Sequence, residues 1–203
     1  MNTFSSSKHT PTEGLLIRIV DNGEVKTLDY QDATAVHQRS LWWGTAVGYR
    51  AMQVAAKALS EKTLWSRENL MIVSGHPGPG VLDSLNFVTG CADNDRLTVM
   101  QNPNCVNRCN SEMKFEWWVS DGQQTAHVSL REDFVPEDFY QLIDRRVYNE
   151  TCNEDDQLFE LYKVNLSSRL WVDSLEDSFS VELLPPLEKG EIPSNHEWSK
   201  LTA

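Results

Sequence analysis

The chain contains 203 residues, of which 40% are hydrophobic and seven are tryptophans, and its formal net charge is −12. This composition can bury a substantial core and excludes a disordered chain, while the negative charge argues against nucleic-acid binding because phosphate backbones are repelled. No apolar run is long enough to span a membrane, and the opening residues lack the apolar segment of a secretory signal, so we expect a cytoplasmic protein.

The first hundred residues contain both strand and helix patterns. Residues 15–20 predict a strand that ends in a turn at Asp21-Asn22-Gly23. The alanine-rich stretch from Ala33 to Ser60 predicts one long helix or two helices joined near Gly44. After it, NLMIVSG (69–75) predicts a buried strand, VLDSLNFV (81–88) a short helix, and LTVM (97–100) another strand.

A β-hairpin is predicted around the Asp121-Gly122 dipeptide, which is typical of a tight turn. The segments MKFEWWV (113–119) and QTAHVSL (124–130) flank it. If Ser120 opposes Gln123, Glu116 lies directly opposite His127, so the simplest role of His127 is a cross-strand partner rather than a catalytic residue. Phe115, Trp117 and Val119 then share the opposite, apolar face.

The second half of the chain carries the whole negative excess. Residues 1–110 contain ten basic and ten acidic side chains, whereas residues 111–203 contain eight and twenty. This half offers either an ordinary solvated surface or a docking face for a basic protein partner. Pro136-Glu137-Asp138 predicts a helix start, whose apolar stripe comprises Phe139, Leu142, Ile143 and Val147.

A short element is predicted after Asn153, carrying Leu158, Phe159 and Leu161, and the chain beyond Leu183 has the pattern of a surface tail. Strands and helices are mixed without strict alternation, which indicates the α+β class, with a mixed or antiparallel sheet packed against the long helix. We predict a core over residues 1–165 and an acidic C-terminal extension over residues 166–203.

The glycine-rich loop from Gly75 to Gly80 is the first candidate for a site. Its glycine spacing matches a P-loop, but Val81 and Leu82 replace the lysine and hydroxyl residue that a Walker site requires. A turn of this kind at a helix N-terminus exposes backbone N–H groups that can bind a carboxylate or phosphate, with His76 beside it as acid, base or ligand. The alternative is a stiff strand-to-helix connection with no ligand.

Two segments carry a family resemblance: WGTAVGYRAMQVAAKAL (43–59) and VLDSLNFVTGC (81–91). Together they resemble the FmdE domain family, which takes its name from formylmethanofuran dehydrogenase, over roughly residues 33–165. The first resembles the family's Gly-Tyr-Arg helix, and the second resembles its Asp-x-x-Gln-x-x-Thr-Gly-Cys segment with Asn86 in place of glutamine. The matching residues are Gly44, Gly48, Tyr49, Arg50, Asp83, Thr89, Gly90 and Cys91.

The chain departs from the family at the metal site. The family's His-x-His-x-Cys ligand positions are occupied by Gln38, Ser40 and Trp42, and a further family cysteine is Gly80 here. None of these replaces a soft metal ligand. A rebuilt zinc or iron site could use the remaining soft ligands, while the base expectation is that the cysteines are structural. That ligand set comprises His76, Cys91, Cys105 and Cys109.

Three functional hypotheses follow. The first is an FmdE-like binding or accessory protein beside one-carbon or molybdenum-type redox metabolism, homodimeric as the resemblance implies, with the family metal site degenerate. The second is an enzyme acting on a small anion, in which His76 is the acid or base, Asp83 orients it and Arg50 pairs with the anion. The third is a metalloprotein with the rebuilt site. The predicted surroundings of the anion are Trp42, Tyr49, Gly78 and Gly80.

Overall fold

The structure is a computed structural model that describes residues 13–36, 42–100, 109–191 and 193. It confirms the predicted α+β class. The elements are β1 (Leu16–Asp21), β2 (Glu24–Asp29), α1 (Tyr30–Val36), α2 (Trp42–Leu59), β3 (Met71–Ser74), α3 (Pro79–Thr89), β4 (Leu97–Val99), β5 (Glu116–Ser120), β6 (Thr125–Leu130), α4 (Glu137–Val147), α5 (Asn153–Val172), α6 (Leu175–Ser178) and β7 (Phe179–Leu184). None of the helices in these described ranges is long and apolar enough to cross a membrane.

The N-terminal strand and its turn are confirmed. β1 pairs antiparallel with β2 through a two-residue turn in which Asn22 has φ 51° and Gly23 has φ 80°. Positive φ at both central residues matches the right-handed twist of a hairpin. The strand β2 was not predicted, because most of its side chains are exposed and its sequence shows no apolar alternation.

The described part of the chain also forms a mixed five-stranded sheet in the order β4-β3-β5-β6-β7. β3 pairs in parallel with β4, and the other neighbours are antiparallel. The inner face, with Trp117, Val119 and Val128, belongs to the main core and packs toward α2. The outer face carries a smaller cluster of Val73, Met100 and Trp118.

The hairpin of β5 and β6 is confirmed, but its predicted register is wrong. Ser120 pairs with Thr125 rather than Gln123, so Glu116 lies opposite Ser129 and Trp118 lies opposite His127. The turn is longer because Asp121 Oδ1 accepts hydrogen bonds from the N–H groups of residues 123 and 124, at 2.8 Å each. The predicted contact survives on the diagonal, since His127 Nε2 lies 3.0 Å from Glu116 Oε2.

The alanine-rich stretch forms α1 and α2, and residues 37–41 between them lie outside the described residues. α2 crosses α3 at unusually close range. A Cβ on Gly44 would lie 3.2 Å from Val81 N, and a Cβ on Gly48 would lie 3.0 Å from Val81 O. Two glycines four residues apart on one helix face therefore let the two backbones touch.

The C-terminal half confirms one predicted element and corrects another. α4 begins after Pro136 and buries Phe139, Leu142 and Ile143 as expected, with Val147 half-buried. The predicted short element is instead the 20-residue helix α5, on which Leu158 and Leu161 are exposed. A helix with apolar residues on several sides gives no clear stripe from which its length could be predicted.

The end of the chain contributes to the sheet. β7 pairs with β6 over six residues, and residue 165, the predicted boundary, falls within α5. Beyond β7 the chain crosses the outer face of the sheet: the N–H of Leu187 donates to Ser120 Oγ and Thr125 Oγ1, each at 3.2 Å, and Leu187 packs against the outer cluster.

Candidate functional site

The predicted loop from Gly75 to Gly80 connects β3 to α3 and is fixed to its neighbours by hydrogen bonds. The N–H of Gly75 donates to Glu116 O at 2.9 Å, and the N–H of Lys114 donates to Gly75 O at 3.1 Å. Ser74 Oγ donates to His76 O at 3.0 Å and accepts from the N–H of His76 at 3.2 Å. The loop therefore presents His76 from a rigid backbone.

His76 is buried and neutral. Its side chain is 4% exposed, and burial lowers the pKa of its imidazole to about 3. The N–H of Gly78 donates to Nδ1 at 3.0 Å, so the ring proton resides on Nε2. The ring packs against Phe115 with 4.6 Å between centroids. At neutral pH His76 can donate a hydrogen bond from Nε2 but does not carry a charge.

Gly78 lies next to the imidazole of His76 and the thiol of Cys109. A Cβ on Gly78 would lie 2.5 Å from His76 Cε1 and 3.1 Å from Cys109 Sγ, which a side chain cannot tolerate. His76 and Cys109 therefore both lie close to this glycine. Burial raises the pKa of the Cys109 thiol, which keeps the sulfur protonated at neutral pH.

A cavity of about 400 Å³ opens in front of this loop, between α3, α4 and α5. Most of its wall is apolar. The side chains that form the apolar wall are Trp43, Met113, Phe139, Ile143, Val147 and Phe159, and Gly44, Gly78, Pro79 and Gly80 supply backbone. The polar side chains that line it are His76, Cys109, Arg146 and Lys163.

Two cationic side chains, Arg146 and Lys163, lie on the α4–α5 side of the cavity beside the ring of Phe159. The Arg146 guanidinium carbon lies 4.5 Å from the centroid of Phe159, and Lys163 Nζ lies 5.3 Å from it. Arg146 is ion-paired with Asp156, and buried Lys163 Nζ lies 2.8 Å from Glu160 Oε1. Both cations are therefore held in place before any ligand arrives.

The N-terminus of α3 adds backbone donors. Gly78 is the N-cap and has no side chain to cap the helix, and Pro79 has no N–H. The first helical bond runs from the N–H of Leu82 to Gly78 O at 3.0 Å. The positive end of an 11-residue helix thus lies at the loop that lines the cavity.

The structure brings together only part of the predicted site. His76, Gly78, Gly80 and Cys109 line one cavity. Cys105 and the side chain of Trp42 lie outside the described residues. Asp83, predicted to orient His76, is exposed on α3 and does not line the cavity. The group that orients His76 is instead the backbone N–H of Gly78.

The two predicted anion-binding side chains of α2 serve other contacts. Tyr49 is fully buried, and its hydroxyl lies 2.7 Å from Leu15 O and 2.8 Å from Leu28 O, which fixes the β1–β2 hairpin. Arg50 is 7% exposed and donates to Gln53 Oε1 and Asp173 O at 3.1 Å each, with its guanidinium 5.0 Å from the Trp171 ring. Neither residue lines the cavity.

The predicted metal ligands are not all brought together either. Cys91 lies just beyond the C-terminal end of α3, where its thiol donates to Leu70 O at 3.3 Å. His76 precedes the N-terminal end of the same helix, whose 11 residues span about 16 Å. One metal ion cannot bridge that distance. Within the described residues, no three His, Cys, Asp or Glu side chains are grouped so that they could hold a metal.

Arg146 and Lys163 were missed as site residues. Arg146 and Lys163 follow His76 by 70 and 87 positions, and only the packing of α4 and α5 brings them to the loop. The only local sign of their role in the sequence was that each lies among apolar residues of a helix. Arginine and lysine are common at such positions on protein surfaces. No protein-family model matches the sequence, and no curated protein is significantly similar to it.

Proposed function

We propose that the protein binds a small molecule with an apolar body and one anionic group in the cavity at the N-terminus of α3. The observation that carries this proposal is the polarity of the cavity: its wall is apolar, and among the described residues each polar side chain that lines it is a hydrogen-bond donor or a cation. Small-molecule sites are typically apolar with a few polar groups that fix the orientation of the ligand.

The donors select an acceptor group on the ligand. Neutral His76 donates from Nε2 because Nδ1 is already used by Gly78. Arg146 and Lys163 supply positive charge, and the backbone N–H groups of the first turn of α3 favour an anion. A carboxylate or phosphate accepts from all of these groups, whereas the positive charge of Arg146 and Lys163 disfavours an ammonium.

The cavity sets the size of the apolar body. A volume of about 400 Å³ lies in the range of ordinary small-molecule sites, about 300–1,000 Å³. Trp43, Phe139 and Phe159 present aromatic surface, against which a flat ring or a short alkyl chain can pack.

The state of His76 supports a binding role over acid–base catalysis. A general base works best with a pKa near the operating pH, whereas the pKa of His76 is about 3. The resemblance to the FmdE family extends the proposal to a cytoplasmic accessory protein beside one-carbon or molybdenum-type redox metabolism. In that setting the ligand would be bound and presented rather than transformed.

The test is isothermal titration calorimetry of the full chain with 3-phenylpropionate, its neutral amide and 3-phenylpropylamine. We expect the carboxylate to bind more tightly than the amide and the amine not to bind. Arg146→Gln should weaken carboxylate binding about five- to tenfold, equivalent to about 1–1.4 kcal/mol.

Arg145→Gln is the matched control for this experiment. Arg145 has the same fractional side-chain exposure as Arg146 to within one per cent, 41% against 40%, and is also ion-paired, with Asp155. It does not line the cavity, so its replacement should leave binding unchanged. Equal affinity for the three compounds, or equal loss in both arginine variants, would contradict the proposal.

A further inference from the structure

A second pocket, which we call the α2 pocket, lies between β1, α2 and α6 and has a volume of about 370 Å³. It shares no lining residue with the cavity at the N-terminus of α3. Its charged lining residues are Arg18 on β1 and Arg50 and Lys57 on α2. No Asp or Glu in the described part of the chain lines it. In a chain with a formal net charge of −12, three cations around one pocket indicate a preference for anions.

The α2 pocket follows one face of α2. Arg50, Gln53 and Lys57 all line it, and their positions i, i+3 and i+7 place them on the same side of the helix. Arg50 and Gln53 are 7% and 8% exposed, whereas Arg18 and Lys57 are exposed to solvent. Arg50 is therefore the most deeply buried of the three cations, and the other two lie where a ligand enters from solvent.

Arg50 is buried with only neutral hydrogen-bond partners among the described residues. A guanidinium has five N–H donors, and Arg50 donates to the side-chain oxygen of Gln53 and the backbone oxygen of Asp173. Its buried Nε–H has no acceptor among the described residues. The Trp171 ring, 5.0 Å away, attracts the cation but does not neutralise it. Burial lowers the pKa of Arg50, although the negative charge of Glu176 opposes this. A buried charge of this kind is costly without a counter-ion.

The two acidic residues beside Arg50 already pair with other cations. Glu176 is ion-paired with Lys57, and Asp173 Oδ2 lies 3.1 Å from Arg169 Nε. Asp173 reaches Arg50 through its backbone oxygen. Neither carboxylate therefore forms an ion pair with Arg50.

Arg18 also lacks an acidic partner. Within residues 13–36, 42–100, 109–191 and 193, no carboxylate is ion-paired with Arg18 or Arg50. Outside those ranges the only Asp or Glu in the sequence is Glu197. Two of the three cations that line the α2 pocket therefore have no carboxylate of the described residues as a partner.

We propose that the α2 pocket binds a compact anion with two negative charges, a phosphate group or a dicarboxylate, held between Arg50 and Arg18. Two charges match the two cations that lack a carboxylate, because Lys57 already pairs with Glu176. Arg50 supplies a planar N–H fork that fits either group. The sequence predicted an anion between Arg50 and His76, but the two residues line separate pockets. The proposal is therefore independent of the ligand proposed for the cavity.

Isothermal titration calorimetry of the full chain at about pH 8 tests the charge of the ligand, since a phosphate group carries close to two negative charges there. The probes are inorganic phosphate, succinate and, as the singly charged control, acetate. We expect phosphate or succinate to bind at least about tenfold more tightly than acetate, because the second charge meets the second arginine. The tighter of the two identifies the ligand as a phosphate or a dicarboxylate. Equal affinity for the three anions would overturn the proposal.

Exposed residues around the pocket test its position without disturbing the core. Arg18→Gln should weaken binding of the tighter dianion about three- to fivefold. Glu176→Gln should strengthen it by a similar factor, because it removes a nearby negative charge and releases Lys57. Lys114→Gln and Asp95→Asn are the matched controls and should change nothing. Lys114 is an exposed cation that does not line the pocket, and Asp95, like Glu176, is an exposed ion-pair partner of a lysine. Unchanged affinity in both Arg18→Gln and Glu176→Gln would overturn the proposal.

Arg50→Lys tests the inner end of the pocket. It keeps the positive charge but loses the planar fork, so it should weaken binding of the dianion at least about tenfold. Wild-type affinity in this variant would overturn the role of Arg50. If Arg50→Lys does not fold, Arg18→Gln and Glu176→Gln decide the proposal.

Two further variants separate the α2 pocket from other locations of the dianion. Arg146→Gln should leave dianion binding unchanged, and Arg18→Gln should leave the binding of 3-phenylpropionate unchanged, so this proposal and the proposed function can fail separately. A loss in Arg146→Gln alone would place the dianion in the cavity. A gain in Glu197→Gln would mean that a carboxylate of the chain itself occupies the α2 pocket. Either result would overturn the proposal.

Discussion

At the residue scale, His76 makes folding stability depend on pH. The pKa of its imidazole is about 3 in the folded chain and about 6.5 when unfolded. Between these pH values the imidazole binds a proton in the unfolded chain but not in the folded chain. Stability from this residue is therefore complete above about pH 6.5, falls as the pH drops toward 3, and is constant below that.

Replacement by a residue that does not titrate isolates this contribution. We expect urea unfolding of the wild type to show a free energy that declines by a few kcal/mol between pH 7 and pH 4, and a shallower decline in His76→Gln. The control is His127→Gln, which removes the half-buried histidine beside Glu116; it should retain the steep decline. Parallel curves for the wild type and His76→Gln would contradict the prediction.

Sequence predicted the loop residues of the site and Cys109, but not the residues that α4 and α5 supply. His76, Gly78 and Gly80 belong to one loop, and their common environment followed from the spacing of the glycines. Arg50 was chosen because a buried guanidinium needs partners, and it has them in Gln53 and Asp173, away from the cavity. A buried charge predicts a partner but does not identify it.

At the element scale, the crossing of α2 and α3 depends on Gly48. A Cβ at this position would lie 3.0 Å from Val81 O and 3.0 Å from Ser84 Cβ. Gly48→Ala should gain about 1 kcal/mol of helix propensity but lose more, since the helices must separate, giving a net loss of about 1–2 kcal/mol in the free energy of unfolding. Chemical denaturation measures the change.

Gly14→Ala is the control for this prediction, because a Cβ at Gly14 meets nothing within 4 Å. Its effect should remain within about 0.5 kcal/mol. If Gly48→Ala is as stable as Gly14→Ala, the two helices are not held at the distance that the structure shows.

Elements whose apolar residues recur with a helix or strand period were predicted from the sequence. Elements without such a period were not. α4 has an apolar stripe, and β5 alternates between the core and the outer face. The sequence of β7 resembles the start of a tail because two prolines follow it and its side chains are largely exposed. Its place in the sheet depends on pairing with β6, whose residues lie 49 or more positions earlier in the chain. A local sequence pattern does not show such a distant pairing.

At the scale of the whole molecule, the sheet is covered unequally. The inner face lies in the main core, whereas on the outer face Trp118 is 3% exposed within a small cluster. His127 stacks on Trp118 with 4.4 Å between ring centroids. Leu187, after β7, packs against that cluster and is anchored by Ser120 and Thr125. The end of the chain therefore holds the hairpin that lies 62 or more residues before it.

Leu187→Ala should weaken the whole fold rather than only the end of the chain. Deleting a fully buried leucine side chain costs about 2–5 kcal/mol. Because Leu187 is only half-buried, its replacement should lower the free energy of unfolding by about 1–2 kcal/mol, measured with urea. Tryptophan emission should shift to the red within the main transition, and that transition should move to a lower urea concentration. Leu161→Ala is the matched control, since Leu161 is 53% exposed on α5 and should lose little. An equal loss in the two leucine variants would mean that the segment after β7 lies on the sheet without stabilising it.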